Sequence, residues 1–349
     1  MPARGRALLP LAAAGAIACG ASPAAPERPA ATSDDAHETT EAPSTAASLS
    51  SATAIATTKP PDPPAPRAPF APPACTAPQE KTRADGDCAW TPIATGDDPP
   101  LLFKARVHPN AIKRSVYVEV VAIDAARVGL GAMGGTLEPN AAAPEAARAG
   151  LVPTARLDAL VAVFNGGFME RHGHYGMRVD GVTLAPPRDD ACTIAVLDDG
   201  RVVVGEWSTL DAGARGAPTL RQTPPCLVER GVVHPDIDSE VRPRKWSASV
   251  DGQLDVRRSA LGADRTGATL LFGLGEFTTP HDLADAMRAA GAVVAAQLDI
   301  NWSYTRFLVY GVDHAKHVVK ETLVPKLKYA PNAYVDKPAE RDFFFLYRR

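Results

Sequence analysis

The chain has 349 residues, 22% charged and 45% hydrophobic, which excludes a disordered or fibrous bulk and allows one large domain or two small ones. A formal net charge of −3 leaves no electrostatic footprint for a nucleic-acid partner. No apolar run approaches the roughly 18 residues of a membrane span.

The first element is an export signal. Arg4 and Arg6 precede a short apolar stretch, Ala7 to Ala18, too short to cross a bilayer and of the right length for a signal-peptide core. It ends Ala16-Ile17-Ala18-Cys19, which resembles the lipobox of bacterial lipoproteins, with Ala16 where leucine is usual. The expectation is a signal peptide over residues 1–18, a lipidated Cys19, and a membrane-anchored protein of the cell envelope. The lipid is then its only contact with membrane. From Cys19 to residue 74 the chain is mostly Ala, Pro, Ser and Thr, with Phe70 its only aromatic. Such a composition cannot bury enough apolar surface to offset chain entropy. It reads as a tether reaching roughly 40 Å, from about 5–6 Å × √n.

Residues 75–349 form the expected globular domain. With Cys19 set aside, Cys75, Cys88, Cys192 and Cys226 make an even set, which fits two disulfides in an oxidising compartment. Four cysteines allow three pairings. Proximity favours Cys75–Cys88, and Cys192–Cys226 follows.

Val116 to Ile123 is dense in β-branched residues and predicts a strand. Leu160 to Phe164 is a short apolar run that predicts a buried strand. Hairpins are predicted at Asp180-Gly181, at Asp199-Gly200 and at Asp264 to Gly267, where Asp and Gly supply the turn conformations. Thr279 as N-cap, Pro280 at the first position and Asp282 in the first turn predict a helix that Gly291 stops. Val293 to Leu298 predicts a buried strand leading to Asp299, and Phe343 to Tyr347 a last strand. The expected class is α+β: a large mixed β-sheet with few helices in a single domain.

The chain has no GxSxG elbow, GxxxxGK loop or HExxH helix, so those hydrolase, nucleotide and zinc sites have no support. His172-Gly173-His174 has metal-like spacing but no diagnostic carboxylate beside it; no metal and no cofactor is expected. Three segments place chemistry at strand ends, which a sheet holds rigidly. They are Phe164-Asn165-Gly166-Gly167-Phe168, Arg257-Arg258-Ser259-Ala260-Leu261-Gly262 and Leu298-Asp299-Ile300-Asn301-Trp302-Ser303. Each also has a plain reading, as a turn, a surface charge and a cap.

In this order, with the Val179-Asp180-Gly181 hairpin, the Pro225-Cys226-Leu227-Val228 to Gly231 segment and the helix from Pro280, these segments resemble the phosphodiester glycosidase family. The resemblance covers about Val107 to Tyr347. It implies hydrolysis of a glycosyl phosphodiester, with a carbohydrate or glycosyl-phosphate as substrate. The family's Leu-Asp-Gly-Gly-Gly-Ser motif is altered here, Ile300, Asn301 and Trp302 standing where the three glycines belong. That puts activity itself in question and keeps a glycan-binding protein on the same fold as the alternative.

Resemblance and residue chemistry together assign expected roles. Asp299 is the carboxylate at an oxocarbenium-like transition state. Arg258 grips the phosphate through its planar fork. Asn165 hydrogen-bonds sugar or phosphate, with the amides of Gly166 and Gly167 assisting, and His174 donates to the leaving oxygen. Asn301, Trp302 and Ser303 line the substrate, and Asp180 or Glu276 is a second carboxylate. The expectation is that Asn165, Arg258 and Asp299 converge on one cleft.

Overall fold

A computed structural model describes residues 68–238, 245–247, 252–324 and 327–349. The signal segment, Cys19 and most of the tether lie outside the described residues. Strands predominate and helices are few, as the sequence leads one to expect. Every ladder between strands is antiparallel. The expected large sheet is divided into one sheet of eight strands and two of five.

The eight-stranded sheet has at its centre the strands Val118–Asp124, Thr269–Thr278, Val256–Ala263 and Val294–Ile300, side by side in that order. All eight residues of Val256–Ala263 are buried, so this strand is covered on both faces. On one face Leu261, Phe272 and Leu298 meet the second sheet, in which Leu160–Asn165 lies between Phe307–Asp313 and Phe343–Arg348. Phe164 is the centre of that contact, its ring 4.8 Å from Phe272, 5.8 Å from Phe307 and 5.4 Å from Phe344. On the other face Val118, Val120, Ala260 and Ala295 pack against Leu283, Ala286 and Met287 of the helix Pro280–Ala289. Apolar residues alternating between the two faces are what a sheet covered on both sides requires.

The helix carries the expected cap in reciprocal form. The Thr279 side chain accepts from the Asp282 amide at 3.1 Å, while the Asp282 carboxylate accepts from the Thr279 amide at 3.0 Å. The third sheet contains the predicted Cys192–Val196 and Val202–Glu206 hairpin and the short Met177–Val179 and Val182–Ala185 pair. The disulfides are Cys75–Cys88 and Cys192–Cys226, the pairing that proximity favours.

Two irregularities flank Arg258. Between Val256 and Arg258 the neighbouring Thr269–Thr278 strand carries one residue more than its partner. Between Arg258 and Ala260 the Val294–Ile300 strand on the other side does the same. Such bulges twist a strand and re-aim the side chains beyond them. Both stand at the end of the sheet where the sequence places its chemistry.

Candidate functional site

Asn165 ends its strand fully buried. Its Nδ2 donates to Ser259 Oγ at 3.0 Å and to the Gly166 carbonyl at 3.1 Å. Its Oδ1 accepts from the Arg306 amide at 3.2 Å. The amide therefore ties three chain segments together, and its hydrogen bonds are spent on protein groups. The two glycine amides are committed as well: Gly166 N donates to the Asp342 carbonyl at 3.0 Å and Gly167 N to Asp342 Oδ2 at 2.8 Å. A Cβ at Gly166 would strike the Asp342 carboxylate, and one at Gly167 the Arg221 guanidinium. Close approach, rather than ligand contact, is what these glycines provide.

Asp342 is itself paired with Arg221, Nε to Oδ2 at 2.8 Å, both side chains almost wholly buried. Arg221 also donates to the carbonyls of Phe168 at 2.5 Å and Tyr175 at 3.1 Å. One buried ion pair thus holds the turn after Asn165 from both sides.

Asp299 is 3% exposed, and its amide donates to the Gly166 carbonyl at 3.0 Å. Gln297, two residues earlier, faces the helix side and accepts from Arg258. Strict alternation would send Asp299 the same way. The bulge turns it to the opposite side, where its Oδ2 meets Arg341 Nη1 at 2.6 Å. The two form a close, largely buried ion pair. Burial pushes the Asp299 carboxyl up to about 7, and the Arg341 charge opposes that rise without cancelling it. Arg341 lies over the Tyr304 ring at 4.7 Å, and beyond Tyr304 opens a cavity of about 240 Å³ that Arg306, Tyr334 and Lys337 also line.

Arg258 does not join them. Adjacent to Ser259 on one strand, it points to the opposite face and is fully buried. Its guanidinium donates to the carbonyls of Trp246 at 2.8 Å, Ser247 at 2.9 Å, Leu254 at 2.8 Å and Thr278 at 3.0 Å, and to Gln297 Oε1 at 3.1 Å. Among the described residues no carboxylate forms an ion pair with it. Burial brings its proton affinity down to about 9, with Asp255 and Asp282 opposing from a distance. The expected convergence of Asn165, Arg258 and Asp299 is thereby corrected: the arginine beside Asp299 is Arg341.

His174 also stands apart. Its side chain is 72% exposed and pairs with Glu170. His172 lies nearer, its ring held below the usual histidine range by burial and by the charges of Arg171 and Arg341. Asp180 occupies its hairpin turn beside Thr219, and Glu276 is paired with Arg257. Asn301 Oδ1 accepts from the Ser303 amide at 2.7 Å and from Ser303 Oγ at 2.6 Å, closing the loop on itself. Ile300 packs against the cluster of Phe168, Tyr175 and Ala191. Trp302 alone of the three replaced glycine positions presents a ring to solvent, 40% exposed. Among the described residues no three His, Cys, Asp or Glu side chains gather to hold a metal ion.

Sequence reasoning missed Arg341, Asp342 and Arg221. The available signal was Arg341-Asp342 directly before the apolar run Phe343 to Leu346, the same strand-start position that drew attention to Arg258.

Residues 158–316 match the family described as phosphodiester glycosidase. No curated protein sequence matches the chain. Among solved structures, the catalytic domain of zebrafish N-acetylglucosamine-1-phosphodiester α-N-acetylglucosaminidase, auto-inhibited by its pro-peptide, is similar at 14% identity. That match covers 74% of this chain and 88% of the zebrafish chain, with a TM-score of 0.46. A Synechocystis protein is similar at 13% identity over 71% of this chain and 62% of its own, with a TM-score of 0.44. A Burkholderia pseudomallei protein described as exported is similar at 14% identity over 66% and 74%, with a TM-score of 0.37.

Proposed function

We propose, from the premise that the chain belongs through residues 158–316 to the phosphodiester glycosidase family, that it is an exported hydrolase of glycosyl phosphodiesters. The bond broken joins a sugar's anomeric carbon to a phosphodiester oxygen. The observation that carries the reading is the buried Asp299 carboxylate beside Arg341, at a strand end inside the matched segment.

In this reading water adds to the anomeric carbon while the bond to oxygen breaks, and the phosphate monoester leaves with the electron pair. Phosphate is a good leaving group, so protonating it matters less than stabilising the positive charge that develops on the sugar. Ionised Asp299 faces that charge and accepts the proton of the attacking water. Arg341 favours the ionised carboxylate, and its guanidinium is the cation for a phosphate oxygen. Asn165, Asp342 and Arg221 are positioning residues that hold the turn against which Asp299 rests.

A second reading has its own support. Ile300 is packed against Phe168 and Tyr175, and Asn301 folds its loop back on itself, where the family has three glycines. A lapsed enzyme that retains glycan binding fits that loop. Turnover separates the two. The full chain is given a panel of glycosyl phosphodiesters, and release of phosphate monoester is followed for the wild type and Asp299→Asn. Release that depends on Asp299 supports the hydrolase. Binding without release sinks it in favour of the binder.

We infer also that residues 1–18 are a signal peptide, that Cys19 is lipidated, and that the tether holds residues 75–349 at the cell envelope. Cys19→Ala is expected to move the protein out of the membrane fraction; unchanged fractionation refutes the anchor.

A further inference from the structure

Phe277 and Trp302 are large aromatic rings left exposed, 58% and 40%, and they lie against each other with centroids 4.7 Å apart at 57°. Neither is where local energetics would put it. Phe277 has φ +55, a left-handed conformation that a bulky side chain rarely adopts and that glycine accepts freely. It belongs to the bulge beside Arg258, which turns its ring outward. Trp302 occupies a position where the family has glycine.

The pair is also fixed in place. Arg257, whose side chain is only 8% exposed, donates to the Trp302 carbonyl, pairs with the Glu276 carboxylate, and lies 5.5 Å from the Trp302 ring. Strain and exposed apolar area that a fold keeps, held rigid by a buried cation, mark a binding surface rather than a packing accident. Only Ile300 and Asn301 separate Trp302 from Asp299, so the two lie at most about 10 Å apart along an extended chain.

We propose that Phe277 and Trp302 form a stacking subsite for a second pyranose ring of the substrate, beyond the ring that is cleaved. A pyranose has an apolar C–H face and a rim of hydroxyls. The first fits the aromatic faces, and the second fits the part-exposed Glu276 carboxylate at their base. The rings are in contact with each other, so the pyranose stacks on their outward faces and not between them. The proposal rests on the glycosyl-phosphodiester reading of the Asp299 site.

The test uses the full chain and two phosphodiesters that differ only in carrying one sugar unit or two. The quantity read is the ratio of kcat/KM for the longer substrate to that for the shorter. Trp302→Ala is expected to lower this ratio by about tenfold. Phe277→Gly, which relieves the backbone and removes the side chain, should lower it in the same direction. A ratio that does not fall in Trp302→Ala, or falls with neither variant, overturns the subsite. Titration calorimetry with the phosphate-free disaccharide keeps the two claims apart. If the wild type turns over neither substrate, the hydrolase reading fails. The subsite then stands when the disaccharide binds the wild type about tenfold more tightly than Trp302→Ala, and falls when the two bind alike. Binding of a free aromatic leaving group in preference to the disaccharide would also overturn it.

Discussion

Arg258 and Asp299 lie on neighbouring strands at the same end of one sheet, and the sheet treats them in opposite ways. On the helix side, Arg258 is enclosed by four backbone carbonyls and one amide oxygen, a cation satisfied by neutral acceptors. On the side of the aromatic core, Asp299 faces Arg341 in a close ion pair, and Asp342 and Arg221 form a second buried pair behind it. A buried polar group that has all its partners is part of the scaffold. One held beside a single charge, with its titration shifted by burial, is a candidate for chemistry. By that criterion the helix side is structural, and under the proposed hydrolase reading Asp299 with Arg341 is the working side.

The contrast is broken most severely on its structural half. Arg221→Ala leaves the Asp342 charge buried without compensation and is expected to cost about 3–5 kcal/mol of stability, read from the denaturant midpoint. The double change Arg221→Met with Asp342→Asn should recover part of that loss. If Arg221→Ala is as stable as the wild type, the buried pair does not organise the turn.

On the working side, Asp299→Asn should lower kcat and kcat/KM together by about 10²–10³-fold, as when one transition-state stabiliser is removed. Its fold should remain intact, since the amide is of similar size.

Arg258→Lys sharpens the comparison. An ammonium has three donors for the five acceptors around Arg258. The expected loss is about 1–3 kcal/mol of stability, while the folded fraction keeps its KM. A raised KM in folded protein would return Arg258 to a phosphate-binding role.

The pH dependence follows from Asp299, whose carboxyl is raised in the fold to about 7 from an ordinary value of 3.8. The folded state therefore binds the proton more tightly than the unfolded state. Its contribution to stability is fully present below about pH 4 and is lost as pH rises through about 7. Activity that needs the ionised form rises over the same upper limb. Arg341→Met removes the charge that favours ionisation, so the limb of log kcat/KM should move to higher pH. A limb that stays in place would mean that Arg341 does not tune Asp299.

The smallest effect is expected at His174, which is exposed and pairs only with Glu170 among the described residues. His174→Ala should change kcat/KM by less than about twofold, within the range of an exposed ion pair. A loss of 100-fold would place it in the site after all.

Much of this protein is written in local sequence. The Thr279 to Asp282 cap, the Asp-Gly hairpins, the apolar strand before Asn165 and the close-packed Gly166-Gly167 turn depend on neighbouring residues, whose conformational preferences act without the rest of the fold. The Cys75–Cys88 pairing was legible for the same reason, since its partners are close in the chain. The place of Asp299 was legible too, a carboxylate near the end of a buried strand. Direction was not. Arg258 and Ser259 are adjacent, and only strand alternation sends them to opposite faces. Gln297 and Asp299 are two apart, and only a bulge separates theirs. Arg341 comes to Asp299 because the strand Phe343–Arg348 pairs with Leu160–Asn165 across nearly the whole length of the domain. Pairing between distant strands is set by the packing of the assembled sheets. The tertiary structure alone therefore decided which arginine meets the carboxylate.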